Sequence, residues 1–473
     1  MGRARLFAAV ALVVLSGCAL PGSSGQFDTD RELGAVDDYA HDDEFAFDAS
    51  DGLTERQLEA VKYRSMARIE VLRGLKYERD VELEVIDRAE YRERRGESNP
   101  ASRFDDELWR GAFVVDEGAD PNRALDDLYG DAVQGYYAND RIVIVTDDPD
   151  EIRIDRRVLA HELAHALQDQ HFGLGRDGET IDERRAELGI IEGEAEFLAR
   201  LYDRRCGGTW QCLPDRDRPV SAPDDRRFNV GLFLSIYAPY SEGPTFVSHL
   251  READGWRGVD RAHDERPAST AQLIHPERYP DTRPVDVEIE DRSTDEWDPI
   301  TDDGGEVQTE TIGEATLFAT LVDNEVVDPA SIVGGEADLS PYNYSHSYTD
   351  GWAGDAFQAY ADGDRTGHVW RLRWESTADA DEFADAYREL LGNNGAERVD
   401  DGIYRIAEDE SFTGAYRVTV AGDTVTIVGA PTVDDLDEIR AEADADASIS
   451  STPAVASPAT VASSSPGPAP IGA

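Results

Sequence analysis

The chain has 473 residues, 100 of them acidic and 46 basic, giving a formal charge of −54 at pH 7; its only lysines are Lys62 and Lys76. That length allows two or three modest domains with a real core. The charge excludes nucleic acid as a partner, since a phosphate backbone would be repelled almost everywhere. The acids are spread along the chain without EF-hand spacing, so they read as a salt-adapted, halophilic surface that stays hydrated where screening suppresses self-repulsion.

In chain order, Arg3 and Arg5 precede an apolar run, Leu6 to Leu15, too short for a permanent membrane span, and Leu15-Ser16-Gly17-Cys18 follows. This resembles a lipoprotein signal. The resemblance implies removal of residues 1–17, lipid on the Cys18 thiol, and an extracytoplasmic protein anchored to the cell membrane. With Cys18 assigned to lipid, two of the three cysteines remain, and Cys206 and Cys212 become a candidate disulfide across a short loop, favoured outside the cell. Residues 18–50 read as an acidic linker and 441–473, rich in Ser, Pro and Ala, as a disordered tail.

Between these flanks the periodicity predicts a helix over Thr54 to Leu75, a strand over Val81 to Ile86, and a hairpin of Val133 to Tyr137 with Arg141 to Val145. Thr146-Asp147-Asp148-Pro149 suits a helix opening. Later come a helix over Ile312 to Val322, strands over Ala356 to Tyr360 and His368 to Trp374, a helix over Asp379 to Leu391, and a closing hairpin, Tyr416 to Val420 with Thr424 to Val428. The order is that of an α+β protein: a main domain over 51–335 and a smaller C-terminal α+β unit over 336–440.

The segment His161-Glu162-Leu163-Ala164-His165 lies in the first long helix after the hairpin. Histidines four apart project from one face and can share one Zn²⁺, while Glu162 sits beside the metal, where a carboxylate can take a proton from water. Leu159, Leu163, Ala166 and Leu167 form the stripe that buries this helix. A catalytic zinc takes three protein ligands and keeps one open position. A second helix, Arg185 to Tyr202, offers Glu187, Glu192, Glu194 and Glu196, and in so acidic a chain spacing alone does not settle among them. Gly193 and Ala195 would let it approach the first helix closely, and Glu196 and Asp169 are candidates to orient ligand histidines by hydrogen bonds.

The string from His161 to His171-Phe172, together with Glu192-Gly193-Glu194-Ala195, resembles the gluzincin class of zinc metallopeptidases. It is also similar to a largely uncharacterised group of exported bacterial and archaeal proteins of that type. So are Gly135-Tyr136-Tyr137, Pro267 to Tyr279 and Gly351-Trp352-Ala353-Gly354-Asp355, over a span from about Thr54 to Ile439. The resemblance implies a zincin-like fold, a mixed sheet above two metal-bearing helices, Glu192 as third zinc ligand, and a protein or peptide substrate. His275 and Tyr279 are the candidates for stabilising an oxyanion. The alternative is a zincin-fold envelope binding or assembly protein that has lost turnover.

Overall fold

The computed structural model describes residues 25–28, 30–47, 49, 52–96, 98–129, 133–146, 152–214, 228–335 and 339–441. The signal segment, Cys18, Asp147 to Pro149 and the tail beyond 441 lie outside the described residues.

Helix α1 (Glu55–Arg73) starts at a capping box in which Thr54 and Gln57 satisfy each other's backbone N–H, and it stops at Gly74, whose φ of 82° only glycine adopts without cost. Two short strands, β1 (Ala35–Val36) and β2 (Tyr39–Ala40), pack on it. This stretch, expected as a solvated linker, is folded: Val36 is fully buried, Arg31 pairs with buried Glu70, and the Arg64 guanidinium lies 3.8 Å from the Phe45 ring centroid. Its apolar residues are scattered among acids without a period, and they pack on α1 through Val36 in the apolar core, Tyr39 stacked on Tyr63, and Phe45 under Arg64.

Strand β3 (Glu82–Asp87) leads through α2 (Arg88–Arg95), α3 (Arg103–Gly111) and α4 (Pro121–Tyr129) to the hairpin β4 (Gly135–Ala138) and β5 (Arg141–Thr146). The hairpin turns at Asn139 and Asp140, both left-handed, a conformation these two residue types tolerate. The three strands form a mixed sheet in the order β3-β5-β4, with β3 parallel and β4 antiparallel to β5. Next come α5 (Arg156–His171), α6 (Ile181–Arg205), α7 (Val230–Asp254), α8 (Trp256–Asp264) and α9 (Ala271–Ile274). Cys206 and Cys212, just after α6, are joined in a disulfide.

The C-terminal part holds β6 (Asp298–Pro299), α10 (Glu314–Asp323), β7 (Trp352–Asp362), β8 (Arg365–Trp374), α11 (Thr377–Asn393), β9 (Glu397–Asp400), β10 (Ile403–Ile406), β11 (Gly414–Ala421), β12 (Thr424–Ala430) and α12 (Val433–Ile439). Its strands make one antiparallel sheet in the order β6-β7-β8-β12-β11-β10-β9. One core unites Leu108 and Trp109 of α3, Leu232 and Leu234 of α7, α10, α11 and this sheet. A division at residue 335 therefore does not separate two cores. Leu317, Phe318, Leu321 and Val322 of α10 are all buried, and such a helix needs cover on every side. A second core joins α1, α5, α6 and the small mixed sheet. No helix among the described residues is long and apolar enough to cross a membrane.

Candidate metal centre

Asp155 caps α5, and Leu159, Leu163, Ala166 and Leu167 bury it against α1, α6 and the mixed sheet. That orientation turns His161 and His165 toward α6, where Glu192 meets them. His161 Nε2 and His165 Nε2 lie 3.0 Å apart, and Glu192 Oε2 lies 3.1 Å from the first and 3.2 Å from the second. Protons cannot satisfy all three edges of this triangle: with both Nε2 atoms protonated, the edge between the two nitrogens is repulsive. A tetrahedral ion with bonds of about 2.1 Å separates its ligands by about 3.4 Å, so the three donors fit a zinc with little movement. Burial pushes the Glu192 carboxyl up, but the two imidazoles outweigh it and hold Glu192 well below its ordinary range.

Glu162 is buried beside this triangle, and its Oε2 has no hydrogen-bond partner. Burial raises its pKa, partly offset by the two histidines and a backbone hydrogen bond from Tyr137 of β4. Gly135 lets β4 come this close to α5, since a Cβ there would stand 2.9 Å from Val158.

The group behind His165 differs from those expected, while Glu196 does stand on the Nδ1 side of His161. His165 Nδ1 lies 2.9 Å from Gln168 Oε1, and the Gln168 amide nitrogen donates to Ile191 O and Glu194 Oε2, both at 2.9 Å. Two acceptors on the nitrogen side fix the amide orientation, so His165 donates from Nδ1 and its Nε2 lone pair faces the triangle. Glu194 is in turn held by Arg73 and His263. Sequence reasoning placed Gln168 on the histidine side of its helix and Glu194 among the acids of the next, but gave neither this role. Gln168 sits three residues after His165, a spacing that could have been read; Glu194 is one acid among many.

Glu196 Oε2 lies 3.8 Å from His161 Nδ1, longer than a hydrogen bond, while its other oxygen binds Arg157 and Arg200 at 2.6 and 2.8 Å. Asp169 orients no histidine; it accepts from the Tyr137 hydroxyl at 2.8 Å and so ties β4 to α5. Glu187 accepts from the Asp177 backbone N–H and stands apart from the triangle. Gly193 faces α7, not α5: a Cβ would lie 2.4 Å from the Gly243 backbone, and Ala195 supplies the small contact on the α5 side. His171 binds the Lys76 carbonyl at 2.8 Å, a structural contact. The polar partners of His275 are Glu314 and Asp350, and the Tyr279 hydroxyl donates to Glu265 O at 2.6 Å; neither residue makes a hydrogen bond to the triangle. Arg176, half-buried between α5 and α6, feels the charge of Glu192 and forms no hydrogen bond to a described residue.

Residues 299–440 match the model of a family described as a domain of unknown function, DUF8575. The match covers the seven-stranded sheet with α10 to α12 and leaves the His161 triangle outside it. No curated protein and no solved structure matches the chain.

Proposed function

We propose that the chain is a zincin-like, gluzincin-type metallopeptidase that hydrolyses peptide bonds at the cell surface. The observation that carries this reading is the convergence of His161, His165 and Glu192 on one point, with the unpartnered carboxylate oxygen of Glu162 beside it. A zinc ion bound there supplies Lewis-acid polarisation of a carbonyl and makes water acidic enough to lose a proton near neutral pH. His165, its tautomer set by Gln168, and His161 present neutral nitrogens, and Glu192 adds one negative charge. Glu162 takes the proton of the attacking water and returns it to the leaving amine. Arg176 offers positive charge to a substrate carbonyl or carboxylate on the same side as Glu192.

A retired envelope binding protein has no chemical use for Glu162, which favours the enzyme. Export and a lipid anchor at Cys18 belong to the same proposal and place its substrates, proteins or peptides, outside the cytoplasm. The acidic surface fits work in concentrated salt.

The test is metal content and peptide hydrolysis of the purified chain in molar salt. Glu192→Ala is expected to lose one zinc equivalent and all hydrolysis, whereas Glu187→Ala keeps both. A zinc content in Glu192→Ala equal to that of the wild type would remove Glu192 from the site.

A further inference from the structure

A second convergence of ligand-type side chains lies outside the triangle and belongs to three separate segments. His275 follows α9, Glu314 opens α10, and Asp350 ends the loop before β7. His275 Nε2 is 2.8 Å from Glu314 Oε1 and 3.7 Å from Asp350 Oδ1, and one donor atom from each residue lies within 4.8 Å of the others. Two carboxylates thus face a single ring nitrogen, which has at most one proton to give.

Glu314 supplies the independent observation. Its side chain is fully buried, and its Oε2 has no hydrogen-bond partner. An unpartnered buried carboxylate oxygen is costly unless something positive meets it. Arg278, whose charge reaches Glu314, is bonded elsewhere: it donates to the Asp350 carbonyl at 2.5 Å and pairs with Glu375 at 3.2 Å. Asp350 Oδ1 accepts from His346 N at 2.7 Å and Ser345 Oγ at 3.0 Å, so its loop is already shaped around the carboxylate. Its side chain is 41% exposed, which leaves a way in for an ion and room for water ligands.

We propose that His275, Glu314 and Asp350 hold a second divalent cation, of the first-row class that accepts one imidazole with two carboxylates. The cation pins the loop after α9 and the loop before β7 to the start of α10, and so joins the helical part that carries the triangle to the seven-stranded sheet. The proposal is independent of the peptidase reading, because none of its ligands belongs to the triangle.

The test uses the full chain with His165→Ala, which disables the first site. The protein is stripped with chelator, held in molar salt with excess magnesium to occupy loose carboxylate pairs, and titrated with Zn²⁺ by calorimetry. One zinc equivalent is expected to bind, and its binding is expected to raise Tm. Adding Glu314→Gln is expected to abolish it. Asp350→Asn, at a half-exposed position that leaves the packing intact, is expected to weaken it by at least about tenfold. No bound equivalent in His165→Ala overturns the proposal, as does unchanged affinity in Asp350→Asn.

Discussion

His165 is the most constrained side chain of the triangle, because Gln168 binds its outer nitrogen and is itself held by Ile191 O and Glu194. Replacing Gln168 by Leu keeps the volume roughly constant but removes the acceptor that selects the tautomer. Zinc affinity is expected to fall about 10- to 100-fold, with little change in fold, as read by competition with a chromogenic chelator. An unchanged affinity would mean that packing alone orients His165. At this scale the sequence was informative where spacing carries the chemistry: His161, Glu162 and His165 stand out because helical geometry requires that interval. Glu192 needed a family likeness, since the surrounding helix has several acids. Glu194 and the His275 cluster were illegible as partners because their members are brought together by tertiary packing across tens of residues.

Among the elements, α6 is the hub, packed against both α5 and α7. Its contact with α7 is backbone on backbone: a Cβ on Gly193 would stand 2.4 Å from Gly243 C, and one on Gly243 would stand 2.4 Å from Gly189 O. Glu192 precedes this crossing by one residue, so the crossing sets where its carboxylate lies. Gly193→Val forces the helices apart and is expected to cost about 1–3 kcal/mol or more in denaturant unfolding, with weaker zinc binding. A variant as stable as wild type would show that the helices can separate freely. The sequence reading assigned no element over α7, whose interior holds Pro239 and Pro244 and whose apolar residues follow no single stripe. Helix α1 was legible from its helical apolar spacing, and the hairpin and the strands β7, β8, β11 and β12 from β-branched and aromatic runs, some of them buried on both faces, set between turn residues. The packing of residues 30–47 on α1 and the core shared across residue 335 were not legible for one reason: composition does not reveal which surface an irregular segment will cover.

For the whole molecule, acids greatly outnumber bases, and several of the scarce arginines are buried: Arg64, Arg68 and Arg73 of α1 are each no more than 2% exposed. Where burial outweighs the charges and hydrogen bonds that reach them, buried acids favour their neutral form. Burial raises Asp182 and Glu310 to about 7, from ordinary values of 3.8 and 4.5, against hydrogen bonds from Thr270 to the first and the charge of Arg184 on the second. A raised acid supports the fold when protonated, so this contribution is full below the unfolded pKa and is lost as pH rises through about 7. At constant high salt, Tm is therefore expected to fall between about pH 5 and about pH 8, and Asp182→Asn should flatten that slope. A slope unchanged by Asp182→Asn would assign the pH dependence to other groups.

In the proposed site a metal held by His161, His165 and Glu192 works with Glu162 as the base. The most direct measurement compares wild type with Glu162→Gln, side by side, for zinc content and for cleavage of a complex peptide mixture in molar salt. Equal zinc is expected in both proteins, with cleavage by the variant at least about 100-fold below that of the wild type. Equal cleavage by both proteins would contradict it.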